Sequence, residues 1–185
     1  MTTTLGLMLL LTIPAAPAQQ RLASSIVHPY GEEDAESRVV VAHPALPSNV
    51  TMPVSYGDLV DTMLRSSPTF RAQCSRIGRA ARLHITVRRS VGAAPQAALT
   101  HVTRQTDGRL EAEVEIGLFG DVALLIAHEF EHIIEQLDGV DLSSLAARTG
   151  TGVRADPRSG QYETDRAIAI GRRVSREVSG AVARR

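Results

Sequence analysis

The stretch from Asp121 to Gly139, DVALLIAHEFEHIIEQLDG, decides how the rest of the chain is read. Within it His128, Glu129, Phe130, Glu131 and His132 spell H-E-x-x-H inside a run that reads as one amphipathic helix. At about 3.6 residues per turn, positions four apart lie one above the other on a single face. Two imidazoles stacked in this way can direct their ring nitrogens at one metal ion. Zn²⁺ takes such nitrogens at roughly 2.0–2.1 Å and prefers four tetrahedral ligands, so a third protein ligand must come from elsewhere. Glu129 follows the first histidine by about 100° of helix rotation. It would border the metal cleft without ligating, where a general base stands. Asp121 suits an N-cap and Gly139 a helix stop, and Val122 to Ala127 are apolar enough to bury the helix. The competing reading is a buried helix with two packed histidines and no metal.

Working toward the N-terminus, Arg109 to Ile116 alternates strictly. Leu110, Ala112, Val114 and Ile116 fall on one face and Arg109, Glu111, Glu113 and Glu115 on the other. Asp107-Gly108 before it is a hairpin turn signal, with Leu99 to Gln105 as the partner run. Leu83, Ile85 and Val87 alternate in the same manner. About three antiparallel strands leading into the metal helix are expected, and the strand at Arg109 to Ile116 is the edge offered to an extended peptide. Earlier still, Tyr56 to Ile77 carries helical spacing interrupted at Ser67-Pro68, giving two short helices or one kinked one that end at Gly78. Cys74, the single cysteine, cannot form an internal disulfide and reads as a buried thiol.

The opening MTTTLGLMLLLTIPAAPAQQ reads as a secretory leader over residues 1–18, cleaved after Ala18, although no basic residue precedes its apolar run. Residues 19–52 hold scattered prolines and an acidic cluster and read as a mostly irregular arm. The folded domain is expected over 53–182. A secreted or periplasmic location follows, with no stable membrane association once the leader is gone. The 185 residues contain 43% hydrophobic side chains, ordinary for one domain, and the formal net charge is zero. All 20 basic residues are arginine, yet aromatics make up only 3% of the chain and no recognition motif accompanies them, which excludes nucleic acid as a partner. The oligomeric state is not legible.

Beyond Gly139, Val140 to Gly160 reads as a long loop or a short helix plus loop, and Tyr162 to Val178 as the last helix. Gly171 stands beside the apolar stripe of that helix and would admit a close neighbour. Three carboxylates compete to be the third ligand: Asp138, Asp141 and Glu163. If the helix continues through Glu135, Asp138 points away from the histidines, and nothing holds Asp141 in place. Glu163 opens a helix whose remaining stripe is apolar, and a metal would offset the cost of burying it. Asp165 could then hydrogen-bond a ligating histidine, and Tyr162 is a candidate transition-state donor.

HEFEH followed some thirty residues later by Glu163-Thr164-Asp165 resembles the gluzincin arrangement of zinc metallopeptidases. YETDRAIAIGRRV likewise resembles segments of small exported bacterial HExxH proteins. The resemblance spans Asp121 to Val178 and departs in one respect, since Asp165 follows Glu163 by two residues where several families show four. It implies an α+β, zincin-like fold in which a small, mostly antiparallel sheet packs on the HExxH helix and a C-terminal helix. It also implies one Zn²⁺ held by His128, His132 and Glu163, with Glu129 as base and a peptide or protein as substrate. The alternative is a non-catalytic zinc-binding module that keeps the same core.

Overall fold

The computed structural model describes residues 21–24, 40–43, 45–90, 98–117, 120–156 and 160–183. The expected leader at 1–18 lies outside them. Among the described residues, no helix is long and apolar enough to cross a membrane.

The fold is α+β. Its strands and helices follow in the order β1 (Arg21–Ser24), β2 (Val40–Ala42), β3 (Val50–Pro53), α1 (Gly57–Ser66), α2 (Pro68–Gly78), β4 (Leu83–Arg89), β5 (Ala98–Arg104) and β6 (Leu110–Ile116). They continue with α3 (Val122–Leu137), α4 (Leu142–Ala146), β7 (Val153–Asp156), β8 (Gln161–Thr164) and α5 (Asp165–Val182). Six strands form one sheet in the order β1-β5-β6-β4-β3-β2, and β7 and β8 form a separate hairpin.

Local signals account for most boundaries. Ser67 accepts a hydrogen bond from Phe70 N at 2.9 Å and Pro68 opens α2, so the helical run divides there into two. Gly108, at a φ of 82°, turns β5 into β6. Asp121 Oδ1 accepts from Leu124 N at 3.0 Å and starts α3. Gly139, at a φ of 72°, ends it, with Val140 N donating to Glu135 O at 3.0 Å in a Schellman closure.

The sheet is mostly antiparallel, as expected, through the β1–β5, β5–β6 and β2–β3 ladders, but β4 does not join the β5–β6 hairpin as an antiparallel strand. β5 and β6 pair antiparallel, but β4 pairs parallel with β6 and β3 parallel with β4. The tight turn at Gly108 compels β5 to be the hairpin partner of β6. The longer connection from β4 lets β6 insert between them. β3 and β4 are joined through α1 and α2, the kind of long crossover that parallel neighbours require. As a result β6 is interior, flanked by β5 and β4, and is not an edge for a peptide. Much of residues 19–52, including 25–39, lies outside the described residues, but the described parts join the sheet. They supply β1, β2 and β3, so the folded unit extends N-terminal of residue 53. Arg38 to Ala42 carries a short strand pattern in the sequence, which β2 occupies, and ladder bonds to β5, β3 and β4 hold β1, β2 and β3 in the sheet.

One face of the sheet is covered. On β6 Leu110, Ala112, Val114 and Ile116 are buried while Glu111, Glu113 and Glu115 are exposed. The buried face packs against α3, on which α2 and α5 lie in turn, and Phe70 of α2 stacks on Phe130 of α3 with ring centroids 5.9 Å apart. Cys74 is buried there, and burial pushes its thiol up to about 12, as suits a structural cysteine. α3 is enclosed nearly all round instead of presenting one polar face to solvent. Every residue from Ile126 to Gln136 is buried.

α5 crosses α3 closely at Gly171. A Cβ built there would lie 3.0 Å from the Leu124 carbonyl oxygen and 3.1 Å from His128 Cβ. Both obstacles belong to α3 and neither is the end of a flexible side chain. Gly171→Ala should gain about 1 kcal/mol of helix propensity and lose about 1–3 kcal/mol to overpacking. The expected outcome is a net loss near 1 kcal/mol, a fall in Tm of roughly 2–4 °C. A Tm at or above the parent value in thermal denaturation would show that the two helices can separate without cost.

Candidate metal centre

His128 and His132 project from consecutive turns of α3, and Glu163 reaches them from the end of β8. The two Nε2 atoms are 3.1 Å apart, and Glu163 Oε1 is 3.3 Å from His128 Nε2 and 3.6 Å from His132 Nε2. Among the described residues this is the one group of three or more His, Cys, Asp or Glu side chains with ligand atoms close enough to share an ion. Tetrahedral bonds of about 2.05 Å put ligand atoms roughly 3.3 Å apart, so the observed triangle has the size that zinc requires. Three groups with lone pairs converge there, so protons or a cation must lie between them. The donor set therefore fits a cation.

Glu163 is held in this position by its own backbone, since Thr164 N donates to Glu163 Oε1 at 2.8 Å. It sits on β8 and not in the first turn of a helix, because Thr164 is the N-cap of α5 and its Oγ1 accepts from Ala167 N at 3.0 Å. Extended backbone at Glu163 lets the side chain reach back to α3.

Two of the expected roles fall elsewhere. Asp165 is exposed and pairs with Arg154 Nη1 at 2.6 Å, so it does not orient a histidine. The carboxylate that does is Glu135, whose Oε2 lies 3.1 Å from His132 Nδ1. Glu135 is one turn from His132 on the same face, and an i, i+3 pair of this kind is readable from sequence once a ligand is assigned. Tyr162 precedes Glu163 on β8, and strand alternation sends it to the opposite side. Its ring packs against the edge of the apolar core. Asp138 pairs with Arg76 and Arg166, and Asp141 caps α4 through Ser144 N at 3.0 Å, so neither competes for the metal.

Glu129 is fully buried, and Thr100 Oγ1 on β5 donates to its Oε2 at 2.7 Å. Its charge reaches His132. No local pattern in the sequence marks Thr100, because its partner lies on another element. The remaining acid of the motif, Glu131, points away from the triad and is satisfied by Gln73 Nε2 at 2.8 Å and Arg166 Nε at 2.7 Å.

Burial opposes a charged ring at His132, but the carboxylates of Glu135, Glu163 and Glu129 outweigh it and push the ring up to about 10. Burial also opposes a charged Glu163, and the two histidines outweigh it and bring that carboxyl down to about 2. The pocket thus demands positive charge, met by a proton or by a metal.

With metal chelated, the stability contributed by Glu163 is fully present above its ordinary value of 4.5 and lost as pH falls toward about 2. That contributed by His132 is fully present below its ordinary 6.5 and lost as pH rises toward about 10. Chelated protein should therefore be most stable between those two ordinary values and lose Tm above them. Zinc binds the neutral rings, so zinc-loaded protein should hold its Tm over the same alkaline span. Parallel thermal melts with and without chelator test this, and superimposable curves would contradict it. Separately, Glu135→Gln should lower zinc affinity by about 10–100-fold while the fold persists, as measured by competition with a chromogenic chelator. Unchanged affinity would remove Glu135 from the site.

Comparison of the chain with protein-family models, with curated proteins and with solved structures finds no match, so a functional reading stands on the chemistry of these side chains.

Proposed function

We propose that the chain is a zinc-dependent peptidase of the gluzincin type, with a zincin-like core and an exported location. The observation that carries this reading is the meeting of His128, His132 and Glu163 at ligand spacing beside Glu129. Zinc bound by these three would supply a Lewis acid and an acidified water. The protein's own part is acid–base work and positioning. Glu129, fixed by Thr100, is the group that takes a proton from the attacking water and returns it to the leaving amine. Glu135 holds His132 in the tautomer with its proton on Nδ1, leaving Nε2 free to ligate.

The substrate is a peptide in extended conformation. β6 is enclosed, so the strand that serves it is β5, whose Thr100 holds the base and whose side away from β6 carries β1. A second reading, a zinc-binding module without turnover, draws on the complete burial of Glu129 and His132.

Glu129→Gln separates the two. It preserves size and the bond from Thr100 but lacks the basic oxygen. In a peptidase it should leave zinc content and folding intact while turnover falls by about 10²–10⁴-fold. Glu163→Gln should instead weaken zinc retention, because it removes a ligand's negative charge. Zinc content and cleavage of a peptide library are measured together for both variants and the parent. Equal cleavage by the parent and Glu129→Gln, or none by zinc-loaded parent and its N-terminally trimmed form, would favour the binding module.

A further inference from the structure

The outer edge of β5 is occupied by the chain itself. In β1, Arg21 pairs with His101, Leu22 with Thr100, Ala23 with Leu99 and Ser24 with Ala98, all antiparallel. β1 also lies against β8, the strand that carries Glu163. It therefore runs between the residue that holds the base and the strand that supplies the third ligand. Leu22 stands opposite Thr100, at the level of Glu129.

A short antiparallel strand in this position has the form of an extended peptide added to a sheet edge. Ladder bonds are made by backbone and accept any sequence. A tethered segment competes at an effective concentration on the order of millimolar, so it excludes free peptides present at lower concentration. Four residues of ladder are also few enough to be displaced without unfolding the sheet, in which β5 keeps its full pairing with β6.

We propose that Arg21–Ser24 is an intramolecular occupant of the peptide site, and that the site opens when this strand leaves the outer edge of β5 or is removed. The effect on turnover rests on the peptidase reading. The strand exchange rests on the sheet register alone.

Three chains are compared: one beginning at Gln19, one beginning at Ser25, and one beginning at Gln19 that carries Leu22→Pro and Ala23→Pro. Alternate residues of a strand direct their N–H groups to the same neighbour, so two successive prolines remove a donor toward β5 whichever residue supplies it. The probe is a fluorescent peptide of residues 19–26, QQRLASSI, followed by anisotropy. The trimmed and the two-proline chains should bind it at least tenfold more tightly than the parent. Backbone amides of Ala98 to His101 should exchange faster in both, and slow again when the peptide is added. If zinc-loaded forms cleave peptides, the trimmed chain should do so at least tenfold faster than the parent, with the QQRLASSI peptide as a competitive inhibitor.

Probe binding by the altered chains without cleavage by any form would sink the peptidase reading and uphold β1 as the occupant of the edge. Failure of both altered chains to bind the probe, with circular dichroism matching the parent, would overturn the proposal. Equal cleavage by trimmed and parent chains would also overturn it. So would loss of folding in both altered chains, since β1 would then be a permanent part of the sheet.

Discussion

Six polar or charged side chains of one helix are buried: His128, Glu129, Glu131, His132, Glu135 and Gln136, all on α3. An unpaired charge in such a place costs several kcal/mol, so each must meet a partner or a cation. The partners come from nearly every element packed on the helix. α2 sends Gln73 to Glu131, β5 sends Thr100 to Glu129, β8 sends Glu163 to the histidines, and α5 sends Arg166 to Glu131. Only Gln136, through its Nε2, lacks a partner among them. The apolar core supplies most of the driving force, but satisfaction of this polar set decides which surfaces of the surrounding elements face α3.

The same requirement explains how tightly α5 is placed. Its N-cap Thr164 bonds Glu135, its first turn brings Arg166 to Glu131, and its middle is drawn close enough that only Gly171 fits over His128. Near its far end Glu177 accepts hydrogen bonds from Ser67, Thr69 N and Thr69 Oγ1 at the start of α2. Ser175 also donates to Asp121, the cap of α3. The helix is thereby tied to two other helix starts as well as to the site. Glu163, at the end of β8, gains its fixed position from this attachment, because β8 runs directly into α5.

What was legible in the sequence was local. The histidine pair, the cap at Asp121, the stop at Gly139, the division at Ser67-Pro68 and the Gly108 hairpin each depend on residues a few positions apart. The alternation in β6 was readable for the same reason, because one face of the sheet is left to solvent. Glu163 was found through the cost of burying a carboxylate, although its backbone was read as helix where it is strand. The Gly150, Gly152 and Gly160 positions, all at positive φ, flank the β7–β8 hairpin, whose first strand lies in the stretch that reads as loop. Pairings between distant segments were not legible. Nothing near Arg21 announces β5 as its partner, and nothing in the alternation of Leu83, Ile85 and Val87 distinguishes a parallel neighbour from an antiparallel one.

The exchange of Asp165 for Glu135 shows how such a site is kept in register. Asp165 is close to Glu163 in sequence, but orienting a histidine requires closeness to that ring. Glu135 shares a helix with His132, so ligand and orienting carboxylate move as one rigid unit. Its other oxygen, Oε1, accepts from Thr164 Oγ1 at 2.8 Å, and Thr164 N in turn holds Glu163 Oε1. A single carboxylate therefore joins His132 on α3 to the residue that positions Glu163 on β8. A metal shared by these residues would require a fixed relative placement of the two elements, and this bridge sets it from the Nδ1 side of the His132 ring.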